Sequence, residues 1–242
     1  MGDAEWRRIA GFRVVMSWPQ SGYTPSLGTR ISLRARVARL AGVLLIVAGA
    51  AAVGVAVAAQ AHAPQPSLEA AGSTGPFGRV YGPSLRRSLP ASVDIPAIGV
   101  HSKLLRLGVN PNGTIRVPSV HTQAGEAGWY KYSATPGQMG TSVIVGHVDS
   151  DRGPAVFFRL GALHPGNRVD VTLADGITAV FRVTGVRQYA KSRFPAKTIY
   201  GAASYAALRL ITCGGAFDYP TGNYLSATVV FASLTSSRRA GG

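Results

Sequence analysis

From about residue 88 to residue 235 the chain is written in short apolar runs that glycine, proline, asparagine and aspartate keep interrupting. That texture excludes most folds. The β-branched and aliphatic runs fall at 92–95, 103–107, 114–117, 142–147, 168–173, 178–186, 207–213 and 227–234. Turn chemistry separates them at Asn110-Pro111-Asn112-Gly113, Pro136-Gly137, Pro165-Gly166-Asn167 and Ala174-Asp175-Gly176. Asp-Gly between two such runs is a strong hairpin signal. No run carries the 3.6-residue apolar period of a long helix. About eight short strands without helical periodicity predict an all-β barrel or sandwich. Short helical pieces are expected near 155–160 and 197–203, and there is no internal repeat.

The rest of the chain has a different composition. Residues 1–39 hold seven arginines against Asp3 and Glu5 and show no periodicity, so a basic, disordered segment is expected. Residues 40–59 are twenty positions without a charge. A helix of that length spans about 30 Å, the thickness of a bilayer core. The arginine excess before it predicts a cytoplasmic N-terminus and an extracellular remainder. A cleaved signal peptide is the rival reading, because Ala59-Gln60-Ala61 resembles a cleavage site. The long basic lead and the full apolar core favour a single-pass anchor, and both readings carry the following domain across the membrane. Residues 60–87, with Pro64, Pro66, Pro76 and Pro83, read as a linker unable to bury a core. Residues 236–242 read as a tail. The formal charge of +15 invites a nucleic-acid partner. No helix-turn-helix, zinc-finger or aromatic RNA-binding pattern accompanies it, and the N-terminal arginines have a membrane explanation, so no nucleic acid is expected.

Cys213 is the only cysteine, which excludes an internal disulfide and a multi-cysteine zinc site. It closes the run Leu208-Arg209-Leu210-Ile211-Thr212-Cys213 and is followed by Gly214-Gly215, where the strand is expected to break. A free cysteine often packs as a small hydrophobe. A thiol at a strand end, beside backbone N–H groups, is also well placed as a nucleophile. Four of the five histidines lie in loop or linker surroundings. His147 differs, because it follows Val143-Ile144-Val145-Gly146 at another strand end. Two strand ends on one rim would bring thiol and imidazole together. The imidazole favours the thiolate and then protonates a departing amine. The oxyanion needs donors, usually backbone N–H groups and a cationic side chain.

Several stretches carry a family resemblance, in order, over nearly all of residues 90–234. They are Val93-Asp94-Ile95-Pro96-Ala97-Ile98-Gly99-Val100, Ala127-Gly128-Trp129-Tyr130 with Thr135-Pro136-Gly137, and Gly146-His147-Val148-Asp149-Ser150. Phe157-Phe158-Arg159-Leu160, Lys191-Ser192-Arg193-Phe194-Pro195 and Leu210-Ile211-Thr212-Cys213-Gly214-Gly215 follow. In these the chain resembles the sortases, most closely the class F (class E/F-like) type of high-GC Gram-positive bacteria. The resemblance implies an eight-stranded β-barrel and a transpeptidase. Its cysteine would cleave a sorting signal of the Leu-Pro-x-Thr-Gly type, form a thioacyl enzyme, and pass the protein to a cell-wall peptidoglycan precursor amine. It implies Cys213 as nucleophile, His147 as general acid/base and Thr212 as a substrate-lining position. No cofactor is implied. Some sortases bind calcium through acidic clusters; here Glu126, Asp149 and Asp151 stand as isolated acids, and no metal is expected.

One family feature is missing. Sortases carry an arginine on the last strand, in class F members typically after a Gly-His-Tyr-like triplet. Here Gly222-Asn223-Tyr224 leads to Leu225, and Ala227, two residues on, is no better a donor. Arg238 and Arg239 are expected beyond the strand. Three readings stay open: Arg193 or Arg187 substitutes, the enzyme is slow, or transpeptidation is lost, leaving a peptide-binding module or a hydrolase.

Overall fold

In the computed structural model, which describes residues 63–73 and 84–239, eight strands close into a barrel. They are β1 (Pro90–Ile95), β2 (Val100–Leu107), β3 (Ala127–Tyr130), β4 (Gly140–Val145), β7 (Arg168–Leu173), β8 (Ile177–Ala190), β9 (Ala206–Asp218) and β10 (Asn223–Arg239). Their order around the barrel is β1-β2-β3-β4-β9-β10-β8-β7. Two short strands, β5 (Asp149–Ser150) and β6 (Gly153–Pro154), pair with each other outside it. One helical turn, α1 (Ala196–Tyr200), lies between β8 and β9. The turn pattern predicts an all-β barrel or sandwich, and the closed eight-stranded barrel is the one of the two that the sortase resemblance implies.

Local sequence explains most elements. Asp175-Gly176 turns β7 into β8; Thr172 faces Thr178, and Gly176 takes φ +79°, a left-handed conformation that costs glycine little. Two pairings are parallel, β2 with β3 and β4 with β9. β9 is buried on both faces, which is why its sequence reads as an unbroken apolar run. Leu208 and Leu210 join a core fed by strands from all round the barrel, including Val93, Ile144, Phe181 and Val230. Ile211 joins a second cluster on the outer face with Val143, Val145, Val229 and Phe231. Ile199, Tyr200 and Phe194, from the β8–β9 connection, cover that face.

Several expectations are corrected. Residues 114–117 do not form a barrel strand; Ile115 makes a lone bridge to Val109 and is buried. The third barrel strand is instead β3, where Gly128 leaves room for Leu107, whose Cδ1 lies 2.3 Å from where a Cβ would stand. The expected helical pieces reduce to a 3-10 turn at Leu160–Ala162 and to α1. β9 does not stop at Cys213: it runs on to Asp218 through Gly215, at φ +77°. β10 continues to Arg239, so Arg238 is a strand residue, and its guanidinium donates to the Asp170 carboxylate at 2.8 Å.

The proline-rich stretch before the barrel also does more than link. Ala70 is fully buried in the main core. Ser73 donates its N–H to the Thr184 carbonyl at 2.7 Å. Arg187 on β8 donates from Nε to the Ala71 carbonyl and from a terminal nitrogen to the Gly72 carbonyl, both at 3.1 Å. Charge-assisted bonds at a half-exposed site are worth about 1 kcal/mol together. Arg187→Ala should therefore lower barrel stability by about that amount and make residues 63–73 more easily cut by protease. Equal digestion of variant and parent would remove that role from Arg187. The predicted anchor, residues 40–59, lies outside the described residues, as does the segment 1–39. Among the described residues no helix is long and apolar enough to cross a membrane.

Candidate active site

The parallel pairing of β4 with β9 sets the site. Its register runs from Gly140 opposite Ala206 to Val145 opposite Ile211, and Gly146 extends it by donating to the Ile211 carbonyl at 3.1 Å. Two residues past Val145 is His147; two residues past Ile211 is Cys213. His147, just past the end of β4, and Cys213, within β9, therefore stand at the same level on neighbouring strand paths about 4.8 Å apart. Val145 and Ile211 belong to the outer-face cluster, and the two-residue period carries His147 and Cys213 toward that face. Both are nearly closed off, with 3% and 5% of their surface exposed.

His147 is oriented from its far side. Its Nε2 lies 2.7 Å from the Pro118 carbonyl. A carbonyl only accepts, so Nε2 carries the hydrogen and Nδ1 is the nitrogen left to exchange a proton. Burial lowers the imidazole pKa below its ordinary 6.5; the Pro118 carbonyl and the Asp149 charge oppose that shift without cancelling it. The resting imidazole at neutral pH is neutral, as a base that takes a proton from a thiol or an amine must be.

Opposite Cys213, β10 presents Ala227. Further toward the hairpin end the pairing slips: Ser226 faces Gly214, whereas Tyr224 faces Phe217. The slip is a bulge, with Leu225 on β10 and Gly215-Ala216 on β9. A side chain at Gly215 would put its Cβ 2.9 Å from Ser226. The bulge leaves Leu225 half exposed and unable to donate anything. The Tyr224 hydroxyl instead donates a short hydrogen bond to the Asp149 carboxylate, two residues beyond His147. Burial raises the Tyr224 pKa, and the bond to Asp149 and the charges of Asp149 and Cys213 raise it further, so the phenol keeps its proton.

The other residues singled out from sequence are dispersed. Thr212 is buried beside Cys213, but strand alternation turns it to the barrel interior opposite Thr228, and its hydroxyl has no hydrogen-bond partner among the described residues. Arg187 is engaged by the Ala71 and Gly72 carbonyls. Arg193 is exposed in the turn Lys191–Arg193. That turn leaves β8 where Ala190 pairs with Ser226, and Ser226 with Gly214, on the rim that carries Cys213. Sequence reasoning passed over Pro118, Tyr224 and Gln65, whose Oε1 accepts from the Gly215 N–H at 3.1 Å. Only Tyr224 left a trace, as the neighbour of the missing arginine. Among the described residues no three His, Cys, Asp or Glu side chains converge as a metal ion requires.

Comparisons with known proteins place this barrel. The sortase domain model matches residues 93–235, more than half of the chain. Among solved structures, sortase A of Listeria monocytogenes aligns at TM-score 0.47 and 17% identity, over 64% of this chain and 92% of that one. Sortase A of Corynebacterium diphtheriae aligns at 0.46 and 19%, over 62% of each chain. Sortase E1 of Streptomyces coelicolor, solved with a tripeptide in the active site, aligns at 0.47 and 16%, over 63% of this chain and 91% of that one. No curated protein matches. Membership follows from the family model, laid over a closed eight-stranded barrel: the chain belongs to the sortase family of transpeptidases.

Proposed function

We propose that this protein is a membrane-anchored cysteine transpeptidase of the class F type, with Cys213 as nucleophile and His147 as general acid/base. The observation that carries the reading is the β4–β9 register, which delivers the two side chains at one level on one face. The thiol gives its proton to His147, and Sγ attacks the carbonyl of the scissile peptide bond. The carbon–nitrogen bond breaks, and the leaving amine takes the proton back from the imidazolium. The acceptor amine then attacks the thioester, loses its proton to the neutral imidazole, and the thiolate departs. The substrate is a protein with a Leu-Pro-x-Thr-Gly-like signal and the acceptor a cell-wall amine. Residues 40–59 hold the enzyme in the membrane as a single pass with the barrel outside. Incubating the full chain with a panel of signal peptides, with and without an amine, tests this by mass spectrometry. A thioester on Cys213 and an amine-dependent product are expected. No adduct and no cleavage across the panel would end the proposal, and release of free acid alone would make the protein a hydrolase.

Arg193 takes the oxyanion role in this reading. It makes no hydrogen bond or ion pair among the described residues, and its turn leaves the Cys213 rim. Arg193→Ala should cost about 10²-fold in kcat/KM, the scale of losing one oxyanion donor. Leu225→Arg, added to that variant, should recover part of the loss. Full activity in Arg193→Ala would assign the charge to backbone N–H groups alone.

A further inference from the structure

The hydrogen bond between Tyr224 and Asp149 joins two pieces of chain that are 75 residues apart in sequence. Asp149 begins β5 and is separated from His147 by Val148 alone. Tyr224 stands on β10, in the hairpin whose other strand carries Cys213. The bulge at Leu225 shifts the register, so that Tyr224 pairs with Phe217. Edge-on ring packing with Phe217, centroids 5.0 Å apart, holds it there. The backbone of His147 and Val148 accepts from Phe157 and Ala155 at 2.9 and 3.0 Å, but among the described residues Asp149 itself is otherwise paired only within the two-residue β5–β6 hairpin, a short support beside the imidazole.

We propose that Tyr224 and Asp149 are positioning residues for the Cys213–His147 pair, their phenol–carboxylate bond clamping the loop that carries the imidazole to the hairpin that carries the thiol. The inference rests on the transpeptidase reading above. It gives a task to the β10 stretch where the family arginine is absent: a donor stands there, aimed at the segment beside His147. It does not replace the arginine, because the phenol has one proton and Asp149 holds it.

The clamp has an electrostatic consequence that ordinary packing lacks. The Pro118 carbonyl from the β2–β3 loop and Asp149 from its own loop act on His147, while Asp149 and Cys213 act on Tyr224 of the β9–β10 hairpin. The exposed pair His121–Asp151, 3.9 Å apart, lies on the same two loops. Asp149 raises the His147 pKa, and the phenol draws on the same carboxylate. Removing the hydroxyl frees the anion to favour imidazolium more strongly; removing the anion does the reverse.

The test is Tyr224→Phe and Asp149→Asn in the full chain, each checked for an unchanged melting temperature. His147 is followed by NMR titration, and kcat and KM for signal-peptide cleavage are measured across pH. Both variants should lose about 10- to 100-fold in kcat with KM little changed, the scale of disturbed orientation at a reacting pair. The His147 midpoint should move up in Tyr224→Phe and down in Asp149→Asn. Midpoints moving together, or not at all, overturn the proposal even where kcat falls, because loosened packing has no such sign. Parental kcat in Tyr224→Phe overturns it as well. The titration reads the clamp without turnover. Opposite midpoint shifts in a protein inert to every peptide therefore sustain the electrostatic link while the transpeptidase reading fails.

Discussion

Replacing Cys213 with alanine should abolish turnover, lowering kcat by at least about 10⁴-fold, and should remove every thioester-linked adduct. The prediction is large because nothing else among the described residues can replace the thiol. The chain has one cysteine, and no serine or threonine hydroxyl shares its place: Thr212 faces the barrel interior, and Ala227 stands across the strand. Fold and chemistry separate cleanly at this residue. Cys213 is buried against a small partner, and its truncation removes a single heavy atom, at a cost of about 1 kcal/mol. The variant should therefore keep a cooperative melt close to the parent's while binding signal peptide undiminished. Cys213→Ser, which restores a hydroxyl too weakly acidic for His147 to activate, should be nearly as inactive. Retained cleavage in either variant would move the nucleophile elsewhere. Lost peptide binding together with an unchanged melt would make the cysteine part of the recognition surface.

The all-β class was legible in the sequence because turn chemistry is local, whereas barrel rather than sandwich came from the family resemblance. Asp175-Gly176 specifies its hairpin without reference to the rest of the chain, and the run ending at Cys213 identifies a strand buried on both faces. Non-local causes were not legible. Gly128 looks like a defect in a strand until Leu107, from the parallel neighbour, is seen to fill the space its side chain would need. Residues 63–73 look like a linker until Gly185 is seen to admit the carbonyls of Ala71 and Ser73, which would lie 2.5 and 2.8 Å from a Cβ there. The two glycines after Cys213 read as a strand break because a bulge and a break use the same residues; only the pairing with β10 distinguishes them. For the site, strand ends nominated Cys213 and His147, but their common level depends on a parallel pairing of strands more than sixty residues apart. Tyr224 escaped notice for a related reason: its partner, Asp149, is distant in the chain, and regular alternation past Ala227 would have pointed Leu225, not Tyr224, at the site.

Replacing His147 with glutamine should lower kcat by about 10²–10⁴-fold, the range of a lost general acid/base, and should also change how stability responds to acid. Glutamine is chosen because its amide nitrogen can still donate to the Pro118 carbonyl, sparing that loop a buried unsatisfied acceptor. The stability effect has a definite sign. Burial holds the His147 pKa in the folded protein below 6.5, its ordinary value in an unfolded chain. As pH falls below about 6.5, the unfolded chain takes up a proton that the folded one refuses, and folding stability drops until pH has passed the folded pKa. Above 6.5 both states hold a neutral imidazole and the contribution is constant. Denaturant melts at pH 7.5 and at pH 5 should thus show a larger acid-induced loss in the parent than in His147→Gln. Equal losses would mean that the imidazole is as free to protonate folded as unfolded. It would then stand as imidazolium through the mildly acidic range, and the neutral base needed to relieve the acceptor amine of its proton would be present only at higher pH.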